Sequence, residues 1–204
     1  MKISKGWIIT IVIVLFIILI FSWGTRIYNN LVNKEEAVNT QWANVENVYQ
    51  RRADLIPNLV ATVKGVANFE QSTLTAVIEA RAKATSVNIN PKNLDEASIQ
   101  KFQQAQDGLS NTLSRLMVVV ERYPELKATQ NFSELQAQLE GTENRITVER
   151  RNFNEAAQAY NTYLRGFPAN IFAGLYGFQK KGYFQAVEGA EKAPQVDFNT
   201  EKKN

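Results

Sequence analysis

Glu70, Arg81, Gln106 and Glu149 occupy positions where the surrounding spacing calls for apolar side chains, which makes them the residues best placed to do chemistry. A charge buried without a partner is costly, so each must be paired, solvated or kept for a purpose. Two facing carboxylates in a cleft suit glycoside chemistry and proton transfer. In an up-and-down helical arrangement, however, Glu70 and Glu149 fall on diagonal helices at levels about 8 Å apart, and a helix seam offers no cleft. They read as ion-paired or seam-edge groups, with a small internal polar site or a register device as the sharper alternative. Glu70, Arg81 and Glu149 are the candidate buried polar residues.

Two absences narrow the chemistry further. The chain has no histidine and no cysteine. That removes imidazole and thiolate metal sites, Ser-His-Asp and Cys-His catalysis, and the Glu-x-x-His ligands of di-iron bundles. No Asp-rich calcium loop appears. The expectation is a protein that is not an enzyme, with no catalytic residue, no cofactor and no metal. Lys2, Lys5 and Arg26 account for the excess of 23 basic over 20 acidic side chains, so residues 27–204 carry 20 of each. A net-neutral body has no electrostatic footprint for nucleic acid.

The elements that would position these residues are long helices. Glycine and proline are scarce from 27 to 165, with breakers at Pro57, Asn90-Pro91 and Pro124. Between them apolar residues alternate by three and four, as on one face of a helix. One seam holds Leu31, Val38, Trp42, Val45 and Tyr49. A second runs Val60, Val63, Ala67, Glu70, Leu74, Val77, Arg81, Ala84. The third is Ile99, Phe102, Gln106, Leu109, Leu113, Leu116, Val120, and the fourth extends from Phe132 through Leu139, Ile146 and Phe153 to Tyr160 and Phe167. Pro57 is the uncertain joint. It either kinks one helix of about 60 residues or stands in the first turn of a new helix after a tight turn at Asp54-Leu55-Ile56. The turn is the favoured reading because it gives four segments of matched length. Asn93 or Asp95 is expected to cap the third helix, and Asn131 or Ser133 the fourth, with Gln136 completing a capping box if Ser133 caps.

Upstream of these seams, an uncharged apolar run extends from Trp7 to Trp23. At the helical rise its 17 residues cover about 26 Å, close to one hydrocarbon core, with a tryptophan at each interface. It reads as a retained signal-anchor; a cleaved signal peptide, with Ser22 and Gly24 as small residues, is the rival. Lys2 and Lys5 before the run favour an N-terminus inside and residues 25–204 outside. The fold class is therefore all-α: a single N-terminal transmembrane helix followed by an antiparallel up-and-down four-helix bundle. In outline, 1–6 is a short cytoplasmic N-terminus, 7–24 the span, 25–166 the bundle, 167–186 an aromatic and glycine-rich segment, and 187–204 a polar, disordered tail.

Arg51-Arg52-Ala53-Asp54-Leu55-Ile56-Pro57-Asn58-Leu59-Val60, followed by Val63-Lys64-Gly65, resembles the signature of the LemA family of bacterial envelope proteins. Ala80-Arg81-Ala82, Glu143-Asn144-Arg145-Ile146, Arg150-Arg151, Tyr160-Asn161, Phe167-Pro168, Gly177-Phe178 and Tyr183-Phe184 follow in order. Phe153-Asn154 stands where Tyr-Asn is expected. The resemblance implies a single membrane anchor and an antiparallel helical bundle, and carries no catalytic residues with it. Within the core motif, Arg51, Arg52, Asp54, Pro57 and Asn58 suit either a helix–helix turn or a partner-docking surface at the membrane-distal tip.

Residues 167–184 are apolar but too interrupted to span a bilayer. Phe167, Ile171, Phe172, Leu175, Tyr176, Phe178, Tyr183 and Phe184 are the candidate membrane or subunit contacts, with packing back along the bundle as the plainer alternative. Rings and the Lys180-Lys181 pair near the bilayer would suit headgroups. Together these features point to a membrane-anchored scaffold or interaction protein of the bacterial cell (inner) membrane, acting by self-association as a homo-oligomer or by docking an envelope partner. The alternative is a sensor or regulator ectodomain that modulates a membrane protease or signalling system.

Overall fold

The computed structural model describes residues 5–66 and 69–186. Lys2, Ala67 and the 187–204 tail lie outside the described residues. All regular structure within them is helical: α1 (Lys5–Lys64), α2 (Gln71–Ser86), α3 (Glu96–Val120), α4 (Pro124–Lys127), α5 (Gln130–Arg165) and α6 (Ala169–Tyr176), with a 3₁₀ turn at Pro91–Asn93.

The first helix overturns the favoured reading of Pro57. No turn forms at Asp54-Leu55-Ile56; α1 runs for 60 residues with Pro57 inside it, about 90 Å at the helical rise. Proline has no N–H for the carbonyl one turn earlier, here that of Ala53. Arg81 reaches over from α2 and donates its Nε–H to that carbonyl at 2.8 Å. The buried stripe also stays in phase across the proline: Val45, Tyr49, Arg52, Ile56, Leu59 and Val63 are all buried at alternating steps of four and three. Helix α1 stops instead at Gly65, whose N–H turns back to the Thr62 carbonyl. The second seam is thus divided between two helices, Val60 and Val63 on α1 and Leu74, Val77 and Ala84 on α2.

Other termini follow local chemistry. Asp95 caps α3, its carboxylate accepting from the Ser98 N–H at 2.8 Å, and these hydrogen bonds hold its carboxyl below the ordinary aspartate value. The cap of α5 is Thr129 rather than Asn131 or Ser133, which lie inside the helix, so the expected Ser133–Gln136 box does not form. Helix α6 ends on Gly177 at φ +76°, a left-handed position suited to glycine, with the Phe178 N–H bonded to the Ala173 carbonyl.

Helices α1 and α5 pair along most of their shared length. Asn30 meets Tyr163, Trp42 meets Phe153, and Arg52 meets Glu143, so numbers fall on α5 as they rise on α1. The same sense relates α2 and α3, where Glu70 meets Arg122 and the Ala84 carbonyl meets Gln106. Two apolar clusters result. The first gathers Ile27, Leu31, Val38, Trp42, Val45 and Tyr49 with Phe102, Phe153, Tyr160 and Phe184. The second gathers Ile56, Leu59 and Val63 with Leu74, Val77, Leu109, Leu113, Leu116, Phe132 and Leu139. From Gly6 to Trp23 every residue of α1 is exposed, which makes this stretch the one helical segment among the described residues long and apolar enough to cross a membrane.

Candidate functional site

The family-like motif on α1 divides between two faces. Arg51, Asp54, Pro57 and Asn58 are exposed, and Asp54 accepts from Gln50 one turn earlier at 2.8 Å. Arg52 points inward and is 1% exposed. These residues do not sit at a tip, because α1 continues two turns past Pro57. The docking surface expected there therefore loses Arg52, which helical periodicity turns towards the other helices.

Arg52 lies at the boundary between the two apolar clusters and joins three helices. One terminal nitrogen donates to Ser110 Oγ at 2.7 Å and to Glu143 Oε1; the other donates to Gln106 Oε1 at 2.7 Å. Gln106 in turn donates to the Ala84 carbonyl at 3.2 Å, which brings in α2. The guanidinium also lies 5.0 Å from the centre of the Tyr49 ring. Glu143 keeps 43% of its side chain exposed, so one side of this ion pair is wet. Burial raises the Tyr49 phenol, partly opposed by the charges of Arg150 and Arg52. A permanently charged fork with fixed donors reads out position along four helices at once. The arrangement suits a register device.

The other polar residues singled out from the spacing are half-buried, not buried. Glu70 accepts from Arg122 at 2.7 Å in a surface pair, and Glu149 accepts from Asn152 at 3.1 Å. They are not brought together. Glu70 stands level with Arg122, whereas Arg150, next to Glu149, shares the Gln185 carbonyl with Gln103. Gln103 is on α3 and Arg122 lies just past its end at Val120, 17 helical residues beyond Gln103, so the levels are roughly 25 Å or more apart. Arg81 alone has a role that the seam hinted at, on the Ala53 carbonyl. Among the described residues no three metal-binding side chains gather.

Residues 178–186 form an extended strap that packs back along α5 and α3, the plainer of the alternatives read from the sequence. Side-chain amides grip its backbone as a neighbouring strand would. Asn161 accepts from the Lys181 N–H and donates to the Lys181 carbonyl, both at 2.9 Å. Asn154 does the same with Phe184 at 2.9 Å, and Gln103 with Gln185 at 3.0 and 3.1 Å. The spacing explains the fit: seven residues of α5 rise about 10 Å, and three residues of extended chain cover about the same distance. Gly182 lies so close to α3 that a Cβ there would fall 2.7 Å from Glu96 Cα. Lys181 was expected among headgroups. It is instead buried, with Nζ 2.7 Å from Glu35 Oε1, because an inward-facing lysine needs a paired anion. Phe184 is buried too, against Trp42 and Phe153, and so leaves the set of surface contacts. Tyr183 and Phe178 are half-buried.

Helix α6 sits against the outer end of the apolar run. A Cβ at Gly24 would stand 3.1 Å from the Phe172 ring, and Tyr28 packs edge-on against Tyr176 at 5.0 Å between centroids. Ala169 and Ala173 face inward, while Phe167, Ile171 and Leu175 are 81%, 60% and 74% exposed. Ile171 and Leu175 are spaced by four and share one face of α6, and Phe167 precedes the helix.

The model of the LemA family matches residues 41–198, more than half of the chain. The chain belongs to the LemA family. It is also similar to magnetosome protein MamQ 2 of Paramagnetospirillum magneticum, at 28% identity over 176 residues covering 78% of this chain and 64% of the relative. Magnetosome protein MamQ of Magnetospirillum gryphiswaldense is 26% identical over 174 residues, covering 77% and 64%. Protein LemA of Metamycoplasma hominis is 23% identical over 160 residues, covering 78% and 69%. The chain thus spans less than two thirds of the length of the MamQ proteins it matches. LemA-family membership fits the signature quoted from the sequence, and Arg52, Gln106, Ser110 and Glu143, which form the layer, fall within the matched region, as do Arg81 and Pro57.

Proposed function

We propose that this LemA-family protein is a membrane-anchored scaffold, an antiparallel bundle held by α1 on the extracytoplasmic side of a bacterial membrane, acting by self-association or partner docking. The observation that carries this reading is the continuity of α1. One helix leaves the apolar run and forms the spine of the body, so residues 25–64 extend unbroken to about 60 Å from the bilayer. A rigid spine suits display of a surface at fixed height. The body's polar layer is spent on register, and the designation "magnetosome protein" of three relatives names a structure rather than a reaction. The exposed Arg51–Asp54–Asn58 stripe, together with the exposed Val118 and Ile78, supplies surface for contact. Crosslinking in intact membranes followed by identification of partners tests the reading. Homo- or hetero-complexes involving body residues support it, and a monodisperse monomer that captures nothing overturns it.

The same continuity supports a second reading, a sensor or regulator ectodomain, since a tilt of the body would be transmitted through α1 into the membrane. Covalent tethering of the body with an unchanged state of the neighbouring membrane protein would remove it.

A further inference from the structure

The level of α6 along α1 points to a membrane contact beyond the anchor. Phe172 meets α1 at Gly24 and Tyr176 meets it at Tyr28, so both numbers rise by four together. Helix α6 therefore climbs alongside α1 in the same direction. Followed back to the start of the helix in that register, Ala169 falls at the level of Phe21, about 3 Å deeper than Trp23, and Phe167 precedes it in the chain. Helix α5 runs down past Asn30 to Arg165, and α6 starts four residues later in the opposite sense.

We propose that residues 166–177 are a re-entrant dip, inserted into the leaflet on the Trp23 side with Phe167 as its deepest side chain. This rests on the reading of residues 7–23 as a membrane span. The surface fits lipid rather than water. Phe167, Ile171 and Leu175 are apolar and exposed, and no acidic residue occurs from 166 to 186. Arg26, Arg165 and Lys180 are exposed cations flanking the dip, placed for phosphate headgroups. Non-helical backbone at membrane depth must keep its amides satisfied. That need is met at four positions: Pro168 has no N–H, the Gly166 N–H bonds to the Thr162 and Tyr163 carbonyls, the Asn170 N–H to the Gly166 carbonyl and the Ile171 N–H to the Pro168 carbonyl. The small Ala169 and Ala173 allow the dip to lie close against the protein, as small residues do between helices in membranes. A groove lined by Ile20, Phe21, Phe172 and Tyr176 opens between α6 and α1 and suits a lipid chain.

The absence of native cysteine makes single labels clean. The full chain carrying F167C, I171C or L175C, each labelled with an environment-sensitive fluorophore, is placed in nanodiscs of phosphatidylcholine with phosphatidylglycerol. Phe16→Cys marks the span and Lys92→Cys the aqueous body. The expected result is a blue shift and protection from aqueous quencher that decline in the order 167, 171, 175, unchanged between discs holding one copy and discs holding two. Equal depth at the three positions would mean a helix lying flat, and protection that appears only with two copies would mean a subunit contact. Either overturns the proposal, as does emission matching position 92. If position 16 is protected and 167 is not, the dip alone fails; if position 16 is itself in water, the anchor reading fails with it.

Discussion

The two halves of the body are built by different rules. Above the Arg52 layer the core is aliphatic: Ile56, Leu59, Leu109, Leu113 and Leu116 interlock as an ordinary helix seam. Below it the core is aromatic, with Trp42, Tyr49, Phe102, Phe153 and Phe184 meeting mostly edge-to-face at 5.1 to 6.4 Å. The lower half also takes in a segment distant in sequence, the strap, through three side-chain amide clamps. The lesson is one of division of labour. The upper half needs only helix periodicity to assemble, whereas the lower half, nearest the membrane, locks the chain's return past α6 onto the bundle.

This contrast can be attacked directly, beginning where the largest effect is expected. Trp42→Ala should cost about 3–5 kcal/mol and remove hydrogen-exchange protection at residues 179–186. Leu116→Ala, a comparable loss in the upper half, should leave the strap's protection in place. Equal loss in both variants would mean that the halves are not separate units. Arg52→Met should cost about 2–3 kcal/mol in urea unfolding, because Gln106 and Ser110 lose their donor while half-exposed Glu143 can turn to water. Glu143→Gln should cost less, since it keeps an acceptor.

A double-mutant cycle sharpens the boundary between the halves. Arg81→Met should cost about 1–3 kcal/mol by stranding the Ala53 carbonyl. In a Pro57→Ala background the cost should shrink, because the alanine supplies the N–H that proline cannot offer to that carbonyl. Strict additivity would show that Arg81 is not there to serve the proline. The smallest effect concerns the lower half in alkali. Burial, reinforced by the negative charge of Glu35, pushes the Tyr160 phenol up, and its hydroxyl donates to the Gln179 carbonyl at 3.1 Å. With the folded value above the unfolded one, this stabilisation is full below the ordinary tyrosine range and is lost as pH rises through and beyond it. Tyr160→Phe should cost about 1 kcal/mol at neutral pH and flatten part of the stability loss above pH ~10.

Much of the helical content was legible, and the reasons differ by element. The third seam was fully readable: Ile99, Phe102, Gln106, Leu109, Leu113, Leu116 and Val120 are all buried. Leu31, Val38, Trp42, Val45 and Tyr49 were readable for the same reason. Pro57 misled because the rule against proline inside a helix is local, while the group that offsets it arrives from α2. A signal was nevertheless present, since the stripe from Val45 to Val63 keeps phase through the proline and includes Arg52. Reading it through would have placed Arg52 inside. Glu70 and Glu149 lie at the seam edge, Glu70 ion-paired with Arg122. The levels read for them were wrong because no helix begins at Pro57: α1 runs through it and α2 starts at Gln71. The strap left no periodic trace, as an extended segment clamped by amides demands little of its own side chains beyond Gly182, Lys181 and Phe184.

The central claim is that α1 passes unbroken through Pro57 and carries the body rigidly from the membrane. Spin labels at Ala37→Cys and Lys64→Cys, both exposed positions on a cysteine-free chain, measure this in the reconstituted protein by pulsed dipolar spectroscopy. A continuous helix predicts a single narrow separation near 40 Å. A turn at residues 54–56 would fold the second label back to roughly 20 Å or less, and that result would contradict the account.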